Sequence, residues 1–205
     1  MCSHLQAGAE VHTVPRGGEV TYHGPGQCVI YPVMNIRTMG PRAYVEALQA
    51  AMITTLEDWG ICAHADRPKT AGVRSLSCLK TISLVVTLWQ AVTSACVPAL
   101  HVVCLQVWVG DRKIGAIGVR FSRGVSTHGM ALNVDMDLDW FDKIVPCGDP
   151  SANVTSMADQ LGCSVDVQKI HSQMAMQLIK ELRVQHVQSV TPETVLEECG
   201  ITVQE

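Results

Sequence analysis

Residues 81–110 contain no Asp, Glu, Lys or Arg: thirty consecutive positions dominated by Leu, Val, Ala and Cys. A stretch of that length and composition is long enough to span a bilayer and must be weighed as a transmembrane helix before any fold is assigned. Gln90, Pro98, His101 and several Ser and Thr interrupt the apolar run. Topology weighs more. A single span here would put His23 and Cys147 on opposite sides of a membrane, whereas the chemistry read from their surroundings needs them together. We therefore expect no membrane span.

The chain has 205 residues, enough for one domain with a sizeable core. A net charge of −4 gives no support to general nucleic-acid binding. Its nine cysteines are scattered without paired spacing, and residues 1–27 lack the apolar centre of a secretory signal. This is the pattern of a reducing compartment, with most thiols acting as small buried hydrophobes.

Strands and helices alternate. Gly24-Pro25-Gly26 marks a turn, and Cys28-Val29-Ile30-Tyr31-Pro32 a short buried strand. Pro41 opens a helix in which Tyr44, Leu48, Met52 and Leu56 recur at spacing four, and Gly60 closes it. Strand-like segments resume at residues 107–109, 114–121 and 129–134. A second amphipathic helix carries Val167, Ile170, Met174, Leu178 and Leu182, with Asp166 as its cap. A last one is expected from Thr191-Pro192-Glu193 to Gly200. The class is α/β or α+β.

The chemistry sits in glycine-rich windows. Cys147, in Val145-Pro146-Cys147-Gly148-Asp149-Pro150, is presented on a turn-rich loop rather than inside an apolar run. An ordinary thiol has a pKa of about 8.5 and needs a cation or base beside it to become a nucleophile. Lys113, 34 residues earlier, follows the hairpin-like Gly110-Asp111-Arg112 and leads into Ile114-Gly115-Ala116-Ile117-Gly118. An ammonium there would lower the thiol pKa and could pass protons. The plain readings are a structural cysteine in a turn and a solvated lysine. Arg112, Lys113, Arg120 and Arg123 form either a basic patch that docks an acidic partner or a solvated face. His23 and His128, each followed by glycine, either donate to a carbonyl oxygen or order a loop. No Cys-x-x-Cys pair occurs, and Cys96, His101 and Cys104 lack a fourth metal ligand at usual spacing. Neither a P-loop nor a dinucleotide fingerprint is present.

Four segments taken together resemble the lipoyl(octanoyl) transferase family. They are Arg16-Gly17-Gly18-Glu19-Val20-Thr21-Tyr22-His23-Gly24-Pro25-Gly26-Gln27, residues 111–120, Ser126-Thr127-His128-Gly129-Met130-Ala131-Leu132-Asn133-Val134-Asp135, and residues 142–148. The resemblance covers roughly residues 8–70 and 107–190. It implies an α/β (α+β) fold of the biotin and lipoate protein ligase kind, a single domain with a mixed sheet and flanking helices. It also implies octanoyl transfer from acyl carrier protein to a lysine on lipoyl domains of 2-oxoacid dehydrogenases or the glycine-cleavage H protein. No metal or other cofactor is implied. Cys147 matches the family's acyl-thioester nucleophile, and Lys113 the residue that lowers its pKa. Arg16, Gly17, Gly18, Glu19, Val20, Thr21, Tyr22 and His23, with Ala116, Ile117 and Gly118 and with Gly129, Met130 and Ala131, match acyl-binding segments.

The chain departs from the family pattern twice. Family members carry a further strand and turn before the Arg-Gly-Gly motif, so the N-terminal part is expected to be missing from the single domain of residues 1–205. Residues 73–106 separate Lys69-Thr70-Ala71-Gly72 from Val107-Trp108-Val109, where the family runs straight through, and read as an apolar insert. Val73-Arg74 and Leu105-Gln106 are what splice-donor and splice-acceptor sequences would encode, so a retained intron in a eukaryotic gene explains the segment. That reading favours a mitochondrial homologue; a bacterial one would be cytoplasmic. The alternatives are an ATP-dependent lipoate or biotin ligase of the same fold, and an inactive truncated or mis-spliced product.

Overall fold

Pro41 fixes the first φ of a helix whose every fourth side chain is apolar, and that helix, α1 (Pro41–Glu57), organises the core. The computed structural model of the chain describes residues 8–16, 18, 20–65, 102–145, 153–191 and 194. Tyr44, Leu48, Met52 and Leu56 are all 0% exposed. Burying each contributes about 1.5–3 kcal/mol, and the Tyr44 hydroxyl donates to Pro32 O at 2.6 Å.

The sheet holds β1 (Gln27–Ile30), β2 (Val102–Val109), β3 (Arg112–Ser122), β4 (Val125–Asn133) and β5 (Asn153–Val154). Its order is β1-β4-β3-β2, all antiparallel. β5 lies parallel beside Arg112 and Lys113, so the sheet is mixed. β3 and β4 join through Arg123 (φ 51°) and Gly124 (φ 82°), the double positive φ that a primed two-residue hairpin requires.

Two further helices follow, α2 (Met157–Leu161) and α3 (Val167–Glu181). The Asp166 carboxylate accepts from the backbone N–H of Gln168 and Lys169, as its position predicts. Ile170, Met174 and Leu178 of α3 are buried with the α1 residues in one cluster. Trp59 Nε1 donates to Gln173 Oε1 at 2.7 Å, fastening the end of α1 to α3.

Both helices cover one face of the sheet. Ile117, Val119 and Phe121 of β3 point there; Phe121 meets Tyr44 edge-on at 5.9 Å, and a Cβ on Gly115 would lie 2.2 Å from Met52 Sδ. The architecture is α+β.

The apolar run needs correction at its end. Val102–Val109 is a strand, and its first five residues pair in register with Arg120 back to Ala116. An insert ending at 106 would cut β2 in half, and the strand expected from Val107 begins five residues earlier. The reason is physical: β3 is 11 residues long, and a β-branched, charge-free segment satisfies its backbone groups. Among the described residues no helix is long and apolar enough to cross a membrane. The rest of the run lies outside the described residues, as does the expected last helix apart from Thr191 and Thr194.

Candidate active site

The register of β2 against β3 slips once. Val107 pairs with Gly115 and Trp108 with Lys113, leaving Ile114 as one extra residue on β3, a β-bulge. Directly opposed residues share a face, so without the bulge Lys113 would follow Gly115, Ile117 and Val119 toward the helices. With it, Ile114 enters the core at 0% exposure and Lys113 falls on the other face, with Trp108, Ala116 and Gly118. Bulges of this kind re-aim side chains. Lys113 is 2% exposed, which excludes the solvated-turn reading. Its carbonyl accepts from Thr155 N–H at 2.9 Å.

That same face is lined with very small residues. Ala116 pairs with Ala131 and Gly118 with Gly129 across β3 and β4, so two successive cross-strand pairs carry almost no side chain. The chain after β1 crosses closely over the second pair: a Cβ on Gly129 would lie 2.1 Å from Ile30 O. The result is a cavity of about 300 Å³. Its floor is Ala116, Gly118, Gly129 and Ala131, with Ile117 and Met130 between them; Arg16, Thr21 and His23 form part of its wall. Nine expected binding residues from three separate segments therefore converge.

The segment from Val20 to His23 runs between two pockets, and Thr21 reaches both. Thr21 and His23 line the cavity. Val20 and Tyr22 turn instead toward a small second pocket of about 80 Å³ beside Trp140. The Tyr22 ring stacks on Trp140 (5.2 Å, 9°) and meets Phe141 edge-on, while Lys143 Nζ sits 3.8 Å over the Trp140 ring. Tyr22 thus anchors the motif rather than lining the main cavity. Gly18 is exposed with φ 84° and is not among the lining residues. Gly17, Glu19 and Cys147 lie outside the described residues.

Four cavity residues were missing from the expected binding set: His12, Val14, Tyr31 and His128. His128 has φ 63°, a conformation uncommon for any residue but glycine, and its ring lies edge-on to Tyr31 at 6.1 Å. The glycine that follows His128, like the one that follows His23, was the available signal. The four-residue basic patch is absent, because Lys113 is buried and Arg112 pairs with Asp159 at 2.7 Å. Cys28 is 1% exposed and burial lifts its thiol to about 11, so it is no nucleophile at neutral pH.

A hydrogen-bond chain crosses the sheet beside the cavity. Asn133 Nδ2 donates to Thr155 O at 3.0 Å, Gln27 Nε2 donates to Asn133 Oδ1 at 2.9 Å, and Gln27 Oε1 lies 2.7 Å from His23 Nδ1.

Comparison with known proteins is consistent with this geometry. The family described as the lipoyl protein ligase A/B catalytic domain matches residues 3–179. The chain is 38% identical over 178 residues to octanoyltransferase LIP2, mitochondrial, of Arabidopsis thaliana, covering 84% of this chain and 60% of that protein. It is 43% identical over 156 residues to an octanoyltransferase of Solibacter usitatus, covering 75% of this chain and 54% of that one. The chain therefore spans little more than half the length of these relatives. A crystal structure of lipoate-protein ligase A bound with ATP superimposes with a TM-score of 0.62 at 16% identity, covering 95% of this chain and 68% of that one. That likeness concerns the fold, and it is the lipoate-ligase fold expected from the motifs.

Proposed function

The chain belongs to the family of lipoyl protein ligase A/B catalytic domains, and from that membership we propose that it transfers an octanoyl group from acyl carrier protein to a lysine of a lipoyl domain. The observation that carries this reading is the cavity in which Arg16, Thr21 and His23 meet residues 116–118 and 129–131 over an Ala–Ala and Gly–Gly floor. Its volume of about 300 Å³ lies at the small-ligand end of known binding sites. A floor without side chains accepts a flat, apolar acyl chain. Relatives named octanoyltransferase support the transferase over the ligase.

The proposed chemistry is covalent. The Cys147 thiolate attacks the donor thioester carbonyl, the donor thiol leaves, and the acyl group rests on Cys147. A lysine amine then attacks that thioester and forms the amide. Lys113, placed on the cavity face by the bulge, supplies the positive charge that favours the thiolate. Backbone N–H groups of the glycine-rich segments stabilise the oxyanion. Acceptors are lipoyl domains of 2-oxoacid dehydrogenases and the glycine-cleavage H protein. In a eukaryotic cell the reaction takes place in the mitochondrion, in a bacterial one in the cytoplasm.

The decisive assay supplies octanoyl-acyl carrier protein and an isolated lipoyl domain without nucleotide. Octanoylated lipoyl domain should form at the same rate with and without ATP. Transfer that occurs only from free octanoate plus ATP would make the chain a ligase and overturn the reading.

A further inference from the structure

The hydrogen-bond chain beside the cavity has a direction, and the direction is fixed at one end. Thr155 O is a backbone carbonyl and can only accept, so the Asn133 atom 3.0 Å away is the amide nitrogen. Asn133 Oδ1 is then the acceptor facing Gln27, whose amide nitrogen donates to it at 2.9 Å and also approaches Tyr22 O at 3.4 Å. Gln27 accordingly turns Oε1 toward His23, and the 2.7 Å contact requires a proton on His23 Nδ1. In the neutral ring the proton therefore sits on Nδ1, and Nε2 carries a lone pair. No described residue hydrogen-bonds Nε2, and the imidazole is exposed on the cavity wall.

We propose that Gln27 and Asn133 are positioning residues that hold His23 as its Nδ1–H tautomer, so that Nε2 serves as the proton acceptor for the incoming lysine. The first clause stands on geometry alone; the second rests on the transferase reading. The expectation that neutral His23 donates to a substrate carbonyl is the opposite of what this network permits, because its single N–H is already engaged with Gln27.

The acceptor lysine arrives as an ammonium and gives one proton to Nε2. Its freed lone pair forms the C–N bond at the thioester carbonyl, the C–S bond breaks, and sulfur leaves as thiolate. The remaining excess proton on the acylated nitrogen passes to that thiolate. The imidazolium releases its proton to solvent, to which His23 is open. Buried Lys113 and exposed His23 thus have separate tasks, Lys113 in the thiol chemistry proposed above and His23 in taking the proton of the amine.

Nitrogen-15 histidine labelling of the full chain and long-range proton–nitrogen correlation reads the tautomer directly. His23 should be the Nδ1–H form in the natural protein, a tautomer mixture in Gln27→Met, and Nδ1–H again in Gln27→Glu, which restores an acceptor. His128 should not change in either variant, which reports that the fold is intact. A proton on Nε2 in the natural protein, or a spectrum that Gln27→Met leaves unaltered, overturns the positioning role. In single turnover started from enzyme already acylated on Cys147, aminolysis should fall about 100-fold in His23→Ala and about tenfold in Gln27→Met. Equal aminolysis rates would overturn the base role. The tautomer spectrum needs no turnover, so a chain that transfers nothing would fail the transferase reading while this test still decides the network.

Discussion

Cys28 lies on β1 at 1% exposure, and its burial raises the thiol to about 11. Tyr44, fully buried beneath the same face, is shifted upward for the same cause. Both groups favour folding in their neutral, protonated forms. That stability is complete below the unfolded pKa and is lost as pH rises through the folded one. Melting measured from pH 8 to 11 should therefore fall above about 9, with Cys28 accounting for up to about 3 kcal/mol. Cys28→Ala should flatten the decline, and an identical pH curve for the variant would show the thiol to be hydrated. At this scale the sequence marks the buried thiol by its neighbours: Cys28 opens the apolar run Cys28-Val29-Ile30 and is sealed, while Cys62 and Cys163, outside such a run, are exposed. Tyr22 shares a motif with Thr21 and His23, yet its ring stacks on Trp140, a contact 118 residues away that a motif read as a string does not contain.

Helices were legible because their signals are local. Spacing-four apolar residues, Pro41 and the Asp166 cap each act within one or two turns, and all of them appear as read. The β-bulge at Ile114 was not legible, since it exists only as a mismatch between Trp108–Lys113 and Val107–Gly115 across two strands. Yet it is the feature that separates Lys113 from the helix-side core. The start of β2 escaped for a related reason: residues 102–106 belong to a charge-free run with no periodicity, and only β3 tells which part pairs. Two deletions test this element. Removing residues 73–106 takes five paired positions that removing 73–101 leaves, each backbone bond contributing about 0.5–1.5 kcal/mol. The longer deletion should melt about 10 °C below the shorter one by circular dichroism. Equal melting points would show that the pairing of 102–106 with β3 contributes nothing to stability.

The molecule as a whole is a sheet with two different faces. One is covered by α1 and α3 and filled with Leu, Met, Ile and Phe; the other is stripped to Gly and Ala where β3 meets β4, and segments distant in sequence close over it. That convergence was legible only through the combination of motifs, because each glycine-rich window taken alone fits an ordinary turn. The division explains how one small domain keeps a rigid core while holding an acyl-sized cavity. It also places Lys113 and the cavity floor on one surface of the sheet. The central claim is thus that Cys147 carries the acyl group. Incubation with octanoyl-acyl carrier protein, followed by peptide mapping, should give a hydroxylamine-labile octanoyl adduct on the Cys147 peptide and none after Cys147→Ser. An adduct on Cys62 or Cys163, or full transfer by Cys147→Ser, would contradict the account.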